Sequence, residues 1–406
     1  MTSNLKKVIL ITVLTVIIVI TILQTRPSSD SGLEALPVAT GSSRLSELLS
    51  DQGLEGYPQA IENRVFVFPA DHGPHPDFRN EWWYVTGNLD SEKGRRFGFE
   101  LTIFRFSLTP PGTESFEDVS AWRSSQVYIG HFALTDGGKR QFHVAERYSR
   151  GALGLAGAEA EPFRVWLDDW SMVEARPSER PREEYEFGLP WQLQANDGEI
   201  DLNLMLTPQK PPVLNGVNGL SQKAAMAGNA SYYYSITRLL TEGTLQIGSD
   251  AYVVSGLSWL DREWGSVALS RDQEGGDWYA LQLSDGSELM FYNLRRRDGS
   301  QDIHSAGTLT LVDGSTVHLS RDDLTVEVLD TWQSPRGGRY PIAWQIAIPE
   351  HKLSLTIDPL LDAQELITAV RYWEGAVDVR GERGDTPITG RGYVELTGYA
   401  GSDVPR

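Results

Sequence analysis

The 406-residue chain reads as an all-β protein, on three observations. Runs with period-two alternation, such as Phe97-Gly98-Phe99-Glu100-Leu101-Thr102-Ile103 and Trp278-Tyr279-Ala280-Leu281-Gln282-Leu283, recur from Asn80 onward. Asp-Gly pairs at Asp136-Gly137, Asp197-Gly198, Asp285-Gly286, Asp298-Gly299 and Asp313-Gly314 suit tight hairpin turns, where glycine supplies a positive φ. No long stretch places apolar residues at helical spacing. Short strands at such intervals predict sandwiches or antiparallel barrels.

At the N-terminus, Lys6 and Lys7 precede a run of Val, Ile, Leu and Thr from Val8 to Leu23, followed by Gln24, Thr25 and Arg26. Residues 1–26 are read as a signal sequence or membrane anchor. The run is shorter than the roughly 20 residues of a typical span, yet no Ala-x-Ala-like cleavage site follows it. Flanking lysines stay on the cytoplasmic side, so the bulk of the chain is expected to be exported, periplasmic or otherwise extracytoplasmic, and held to the membrane by this segment. Residues 27–59, rich in Ser, Gly, Pro and Ala, read as a flexible tether. The remainder exceeds one ordinary domain. Its least strand-like stretch runs from Thr207 to Asn229, with Pro208, Pro211 and Pro212 beside clustered Gly and Asn, which predicts an N-terminal domain at 60–222 and a C-terminal one at 223–406. Glu81-Trp82-Trp83 and Glu263-Trp264, each leading into strands, echo one another as two copies of a duplicated barrel would.

Composition removes several function classes. The net charge is −19, and because residues 1–26 hold three basic residues and no acid, the rest is more acidic still. Such a surface repels nucleic acid and anionic headgroups. The absence of cysteine excludes a thiol nucleophile, a disulfide scaffold, Cys-based metal sites and a lipid-anchored lipoprotein. There is no Gly-x-Ser-x-Gly elbow, phosphate-cradling loop or His-Glu-x-x-His helix, so a conventional serine hydrolase, a nucleotide-dependent enzyme and a zincin are set aside. No cofactor or metal is expected.

The candidate site centres on Trp259-Leu260-Asp261-Arg262-Glu263-Trp264-Gly265, three consecutive charges between tryptophans at the end of a strand-like run. Burying ions against aromatic walls costs several kcal/mol each, on the order of a domain's net stability, unless each finds a partner. The segment is either a site or an Arg262 salt bridge closing a barrel end. Alternation puts Asp261 and Glu263 on one face and Arg262 on the other. Glu81, beside Trp82, Trp83 and Tyr84, is either a desolvated carboxyl that holds its proton near neutral pH or the partner of Arg79 or Arg262. The loop Asp71-His72-Gly73-Pro74-His75-Pro76-Asp77 presents two imidazoles and two carboxylates, for acid/base or metal chemistry or simply as a cap. Of the tyrosines 232–234, at least one must face inward and find a polar partner. With 12 tryptophans and 15 tyrosines a wide apolar cavity dotted with polar groups is easily built, which suits a lipophilic ligand.

Several of these motifs occur together: Asn80-Glu81-Trp82-Trp83-Tyr84 with Gly87-Asn88-Leu89, Tyr233-Tyr234-Ser235-Ile236-Thr237-Arg238, Gly256 through Gly265, Tyr372-Trp373-Glu374-Gly375, and Gly392 through Tyr399. In this order they resemble the AttH family of the carotenoid hydratase superfamily, which carries the label "predicted secreted hydrolase". The resemblance spans roughly Arg64 to the end. It implies two lipocalin-like antiparallel β-barrels packed side by side, a ligand site at or near their interface, and export. Relatives in the superfamily add water across, cyclise or fold isoprenoid and polyene substrates.

Two functions compete. In the first, the exported protein acts on a hydrophobic small molecule, a lipid or isoprenoid, by acid/base hydrolysis or hydration. Asp261 or Glu263 protonates the substrate, Glu81 or a histidine activates water, and Arg262 sets their pKa values. Trp82, Trp83, Tyr234, Trp259, Trp264 and Trp373 line the ligand. In the second, the barrels are a non-catalytic carrier for a lipophilic ligand in the cell envelope, beside a membrane transporter. Glycan binding on a tryptophan platform is a third and weaker option.

Overall fold

The computed structural model describes residues 54–113, 124–175, 187, 190–266, 270 and 272–400. The leader at 1–26 and the tether up to residue 53 lie outside the described residues. Apart from single 3-10 turns such as Ala70–His72, the regular structure described is β-strand. The strands form two antiparallel sheets lying side by side, each curled around its own apolar core.

The first sheet runs from strand Gln141–Arg150 through Gln126–Asp136, Arg96–Ser107, Asn80–Ser91, Asp250–Gly265, Ala230–Ile247, Ile200–Pro208 and Trp191–Asn196. It ends on the short strands Trp170–Glu174, Arg164–Leu167 and Ala156–Glu159. Its two ends meet. A Cβ on Gly130 would lie 2.7 Å from Leu167 Cδ2, so this glycine lets the far strands close over the core. The second sheet is built from strands between Gln273 and Leu396, with Gln273–Leu283, Arg371–Arg383 and Thr386–Leu396 at its centre. Gly198, Gly286, Gly299 and Gly314, each from an Asp-Gly pair, take φ between +82° and +89°, as those turns require.

Two sequence expectations are corrected. Strands Ala230–Ile247 and Asp250–Gly265 pair into the first sheet, so the chain passes to the second sheet between Gly265 and Gln273 rather than at 222/223. The Pro-rich stretch 207–229 misled because it is a loop folded back within the first sheet, where Val213–Leu214 and Leu220–Gln222 pair with strand Ala230–Ile247. Nor do Glu81-Trp82-Trp83 and Glu263-Trp264 mark two copies of a barrel. They are cross-strand partners in one sheet, with Glu81 opposite Trp264, Trp82 opposite Glu263 and Trp83 opposite Arg262.

The central strands are buried on both faces, one against their own core and one against the other sheet. In Asp250–Gly265 the first half alternates with solvent while Ser258 to Gly265 are all buried, which marks where the second sheet covers the first. Polar ties cross the junction: Gln282 Nε2 donates to the carbonyls of Thr237 and Ser258 at 2.8 and 2.9 Å, and Asn88 Nδ2 to that of Gly392 at 3.0 Å. At its closest the backbone of Gly98 meets Ala376, and a Cβ on Gly98 would overlap that of Ala376. Gly98→Val should therefore wedge the sheets apart and destabilise the protein by about 1–3 kcal/mol. Urea denaturation with an unchanged m-value checks it; wild-type stability in the variant would contradict the close contact.

Candidate active site between the sheets

Alternation along Asp250–Gly265 divides its charges. Arg262 points into the first core, while Trp259, Asp261 and Glu263 point towards the second sheet; the separation of Arg262 from Asp261 and Glu263 is the one that alternation predicts.

On the inner side, Glu81 is wholly buried and bound by two arginines. Arg262 Nη2 donates to Oε2 at 2.5 Å and Arg105 Nε donates to Oε1, while the His75 backbone N–H lies 3.0–3.1 Å from both oxygens. The Arg262 guanidinium sits 3.9 Å from the centroid of Trp83 and donates to the carbonyls of Gly73 at 2.5 Å and Trp82 at 3.3 Å. Arg105 also donates to the carbonyls of His75 and Phe78 at 3.0 and 2.8 Å. Burial alone would raise the Glu81 pKa, but Arg105 and Arg262 outweigh it and hold the carboxyl well below the usual range. Glu81 is thus a locked carboxylate, and the expectation that it activates water is corrected: every lone pair it would use is engaged. Arg262 is its expected partner, Arg105 an unexpected one.

The histidine loop serves the same core. His75 stacks on Trp264 at 3.7 Å, and its Nε2 lies 3.1 Å from Asp71, which Arg64 also binds at 2.6 Å. Burial pushes the His72 pKa down to about 4, so the ring is neutral. Its Nε2–H donates to the Phe187 carbonyl and its Nδ1 accepts from Tyr234 Oη at 2.6 Å. Trp83, Tyr234 and Trp264 pack in this first core, and Trp373 packs in the second against Trp344, its Nε1 donating to the Asp362 carbonyl at 2.7 Å. These four were expected to line a ligand; the structure fills their surroundings with side chains instead. Trp82 and Trp259 lie on the junction face, Trp259 2% exposed and Trp82 partly exposed.

On the outer side, Asp261 has no cation bonded to it among the described residues. Tyr233 Oη donates to Oδ2 at 2.6 Å, Trp259 Nε1 donates to Oδ1 at 2.7 Å, and Ser235 Oγ donates to Oδ1. Trp278 Nε1 of the second sheet donates to Tyr233 Oη at 3.1 Å. Burial lifts Asp261 to about 7 despite these donors, with the charge of Glu263 adding to the rise. Glu263 accepts from Ser231 and pairs with Lys223 at 3.3 Å, whose ammonium lies 3.9 Å from the Tyr292 ring centroid.

Three carboxyls that sequence reasoning did not select complete this face. Glu395, opposite Trp278 in register and partly exposed, is raised to about 7 by burial and by the charges of Asp261 and Glu263. Glu374, its cross-strand neighbour, and Glu100 of the first sheet are wholly buried and raised well above the usual range, first by burial and then by the charges of Glu100 and Glu395 for Glu374 and of Glu395 for Glu100. Tyr84 Oη donates to Glu374 Oε1. Beyond the neighbouring Thr102, neither oxygen of Glu100 has a hydrogen-bond partner among the described residues. The Tyr372-Trp373-Glu374 and Tyr393-Val394-Glu395 motifs were visible in the sequence. The pairing that brings them to Asp261 was not. The arrangement places carboxyls that titrate near neutrality among Trp259, Trp278, Tyr84 and Tyr233, which suits proton transfer to and from an apolar substrate.

Arg262→Met should cost about 3–5 kcal/mol in urea denaturation, because Glu81, wholly buried, would keep only one of its two cations; a neutral substitution would contradict the locked pair. Asp261, whose pKa rises from 3.8 unfolded to about 7 folded, contributes stability that is present below about pH 4 and lost as pH rises through about 7. The stability of Asp261→Asn relative to wild type should accordingly improve by roughly 3–4 kcal/mol between pH 4 and pH 8. A pH-independent difference would contradict the raised pKa.

The profile of a family described as AttH-like matches residues 59–399. A crystal structure of a candidate AttH protein from Nitrosomonas europaea is 32% identical to this chain, with a TM-score of 0.73 over 85% of this chain and 100% of that one. Kievitone hydratase from Nectria haematococca shares the fold at 15% identity, with a TM-score of 0.62 over 86% of this chain and 98% of its own. No curated protein matches the sequence.

Proposed function

The chain belongs to the AttH-like family, and on that premise we propose that it is an acid/base enzyme acting by hydration or hydrolysis on a hydrophobic small molecule held between its two sheets. The observation that carries this reading is the pair Asp261 and Glu395. They come from opposite sheets, both sit near pKa 7, and both lie among aromatic rings. At neutral pH such a pair has one proton to give and one site to receive.

For a hydration, protonated Asp261 gives its proton to a carbon of the substrate double bond, whose π electrons form the new C–H bond. The cation left on the adjacent carbon faces the rings of Trp259, Trp278 and Tyr84. Water adds there, and the proton it loses goes to the Glu395 carboxylate. In a hydrolysis the same groups protonate the leaving group and take the proton from water. Glu81 takes no proton; with Arg262 it holds the strand that carries Asp261. The aromatic surround suits the chemistry of a lipid or isoprenoid, and the leader and tether support a location outside the cytoplasm, anchored to the membrane, where an envelope transporter could deliver the ligand.

Asp261→Asn should lower turnover by about two to four orders of magnitude with the fold intact, and wild-type activity should follow a bell centred near pH 7. Native mass spectrometry of protein purified from source membranes tests this without a known substrate. A small molecule retained by Asp261→Asn alone is the expected result. The same molecule on both proteins would favour the non-catalytic carrier.

A further inference from the structure

Where the second sheet stops covering strand Asp250–Gly265, beside Gly256 and Leu257, the junction opens into a cleft of about 680 Å³. That volume lies within the roughly 300–1,000 Å³ of small-molecule sites, and the mechanism above does not use it. Gln282 and Arg391, paired across strands Gln273–Leu283 and Thr386–Leu396, form part of its wall, and each lies four residues from a member of the acid site, Trp278 and Glu395. Four residues of strand span about 13 Å and return to the same face. The row between them is filled by Ala280 and Tyr393, both buried, so the cleft is a separate compartment.

Two of its polar groups are fixed in place with bonding capacity left over. Gln282, 7% exposed, donates through Nε2 to the carbonyls of Thr237 and Ser258, which only the amide nitrogen can do, and its Oε1 has no partner among the described residues. Arg238, the residue after Thr237, donates through Nη2 to the carbonyl of Leu283, the residue after Gln282, at 3.1 Å. This reciprocal clasp holds the two side chains side by side. Arg238 Nε is bonded to Glu288, and Nη1 has no partner among the described residues. Glu288 is bound by both Lys210 and Arg238, which leaves one positive charge uncancelled at this corner. The acids lining the cleft are already matched: Arg391 binds both oxygens of Asp90, and Arg96 binds Asp378. Leu257, Leu283 and Val379 supply apolar wall, and the described lining residues include no aromatic ring.

We propose that this cleft binds a hydroxy acid with an apolar chain. The carboxylate accepts from Arg238 Nη1–H in a charge-assisted hydrogen bond. The hydroxyl donates to Gln282 Oε1, an acceptor that a carboxylate alone leaves unpaired. One uncancelled positive charge suits a monoanion, and the aliphatic wall suits the chain. A phosphate dianion would meet a single open guanidinium edge and no second cation with a free charge. Asp261 and Glu395 take no part, so the site stands apart from the acid/base reading.

Calorimetric titration of the intact protein with β-hydroxyoctanoate, octanoate, octanol and inorganic phosphate tests the proposal. Saturable binding of the hydroxy acid is expected, about tenfold weaker for octanoate, which leaves Gln282 Oε1 unpaired, and absent for octanol, which has no charge. Thr389→Trp, at an exposed position on the rim, should fill the cleft and abolish binding with an unchanged melting temperature. Arg238→Lys, which keeps a cation beside Glu288 but removes Nη1, should weaken binding about tenfold. Asp261→Asn should bind as wild type does. Equal affinity for octanol, tighter binding of phosphate, wild-type affinity in Thr389→Trp and Arg238→Lys, or no binding of the hydroxy acid would each overturn the proposal. Binding lost in Asp261→Asn but kept in Thr389→Trp would move the ligand to the acid site and overturn it too. Because turnover is not read, failure here is distinguishable from failure of the proposed catalysis.

Discussion

The structure turns on the buried ion pair between Arg262 and Glu81, shared with Arg105. Two adjacent strands, Asn80–Ser91 and Asp250–Gly265, carry these charges into the first core, where they are matched with nearly every donor and acceptor engaged. A half-satisfied network would cost several kcal/mol, on the scale of the net stability of a domain, so register along these strands has little freedom. A slip of one residue would send Arg262 to the junction and bring Asp261 into the core. The ion pair thereby fixes where Asp261 stands.

The opposite face of the same strand follows the opposite electrostatic logic. Asp261, Glu395, Glu374 and Glu100 are gathered where burial raises every carboxyl, and among the described residues no cation is bonded to any of the four, while Lys223 pairs with the adjacent Glu263. Elsewhere on the junction a buried acid is neutralised: Glu288 is held by Lys210 at 2.8 Å and by Arg238. A fold that needed only to bring two sheets together could treat every acid as it treats Glu288. Uncompensated carboxyls destabilise the charged state, and such a cost persists at sites where protons must be held and released near neutral pH.

Much of this was legible in the sequence, and the limits are physical. Alternating runs and Asp-Gly turns announce the antiparallel sheets, and period-two alternation separates Arg262 from Asp261 and Glu263 without any structure. Strand pairing is another matter. Glu100 reads as a solvent-facing position in an amphipathic strand, and only the second sheet lying over it makes it buried. Trp83, Tyr234, Trp264 and Trp373 have the composition of a ligand wall, but a curled sheet needs large rings to fill its own core, and packing used them first. The Pro-rich loop before Asn229 looks like a linker because a chain folded back along a sheet edge and a chain between domains have similar composition. Arg105 was missed as a partner of Glu81 because the two are 24 residues apart and meet only through the pairing of neighbouring strands.

Two carboxyls from different sheets, Asp261 and Glu395, share the task of holding a proton near neutrality, while a third, Glu81, one strand away, never takes one. Carbon-13 NMR titration of the side-chain carboxyls, assigned with Asp261→Asn, Glu395→Gln and Glu81→Gln, tests it directly. Coupled midpoints near 7 are expected for Asp261 and Glu395, with no titration of Glu81 down to the pH at which the protein unfolds. Midpoints near 4 for both Asp261 and Glu395 would contradict it, and would leave the junction an ordinary packed interface between two sheets.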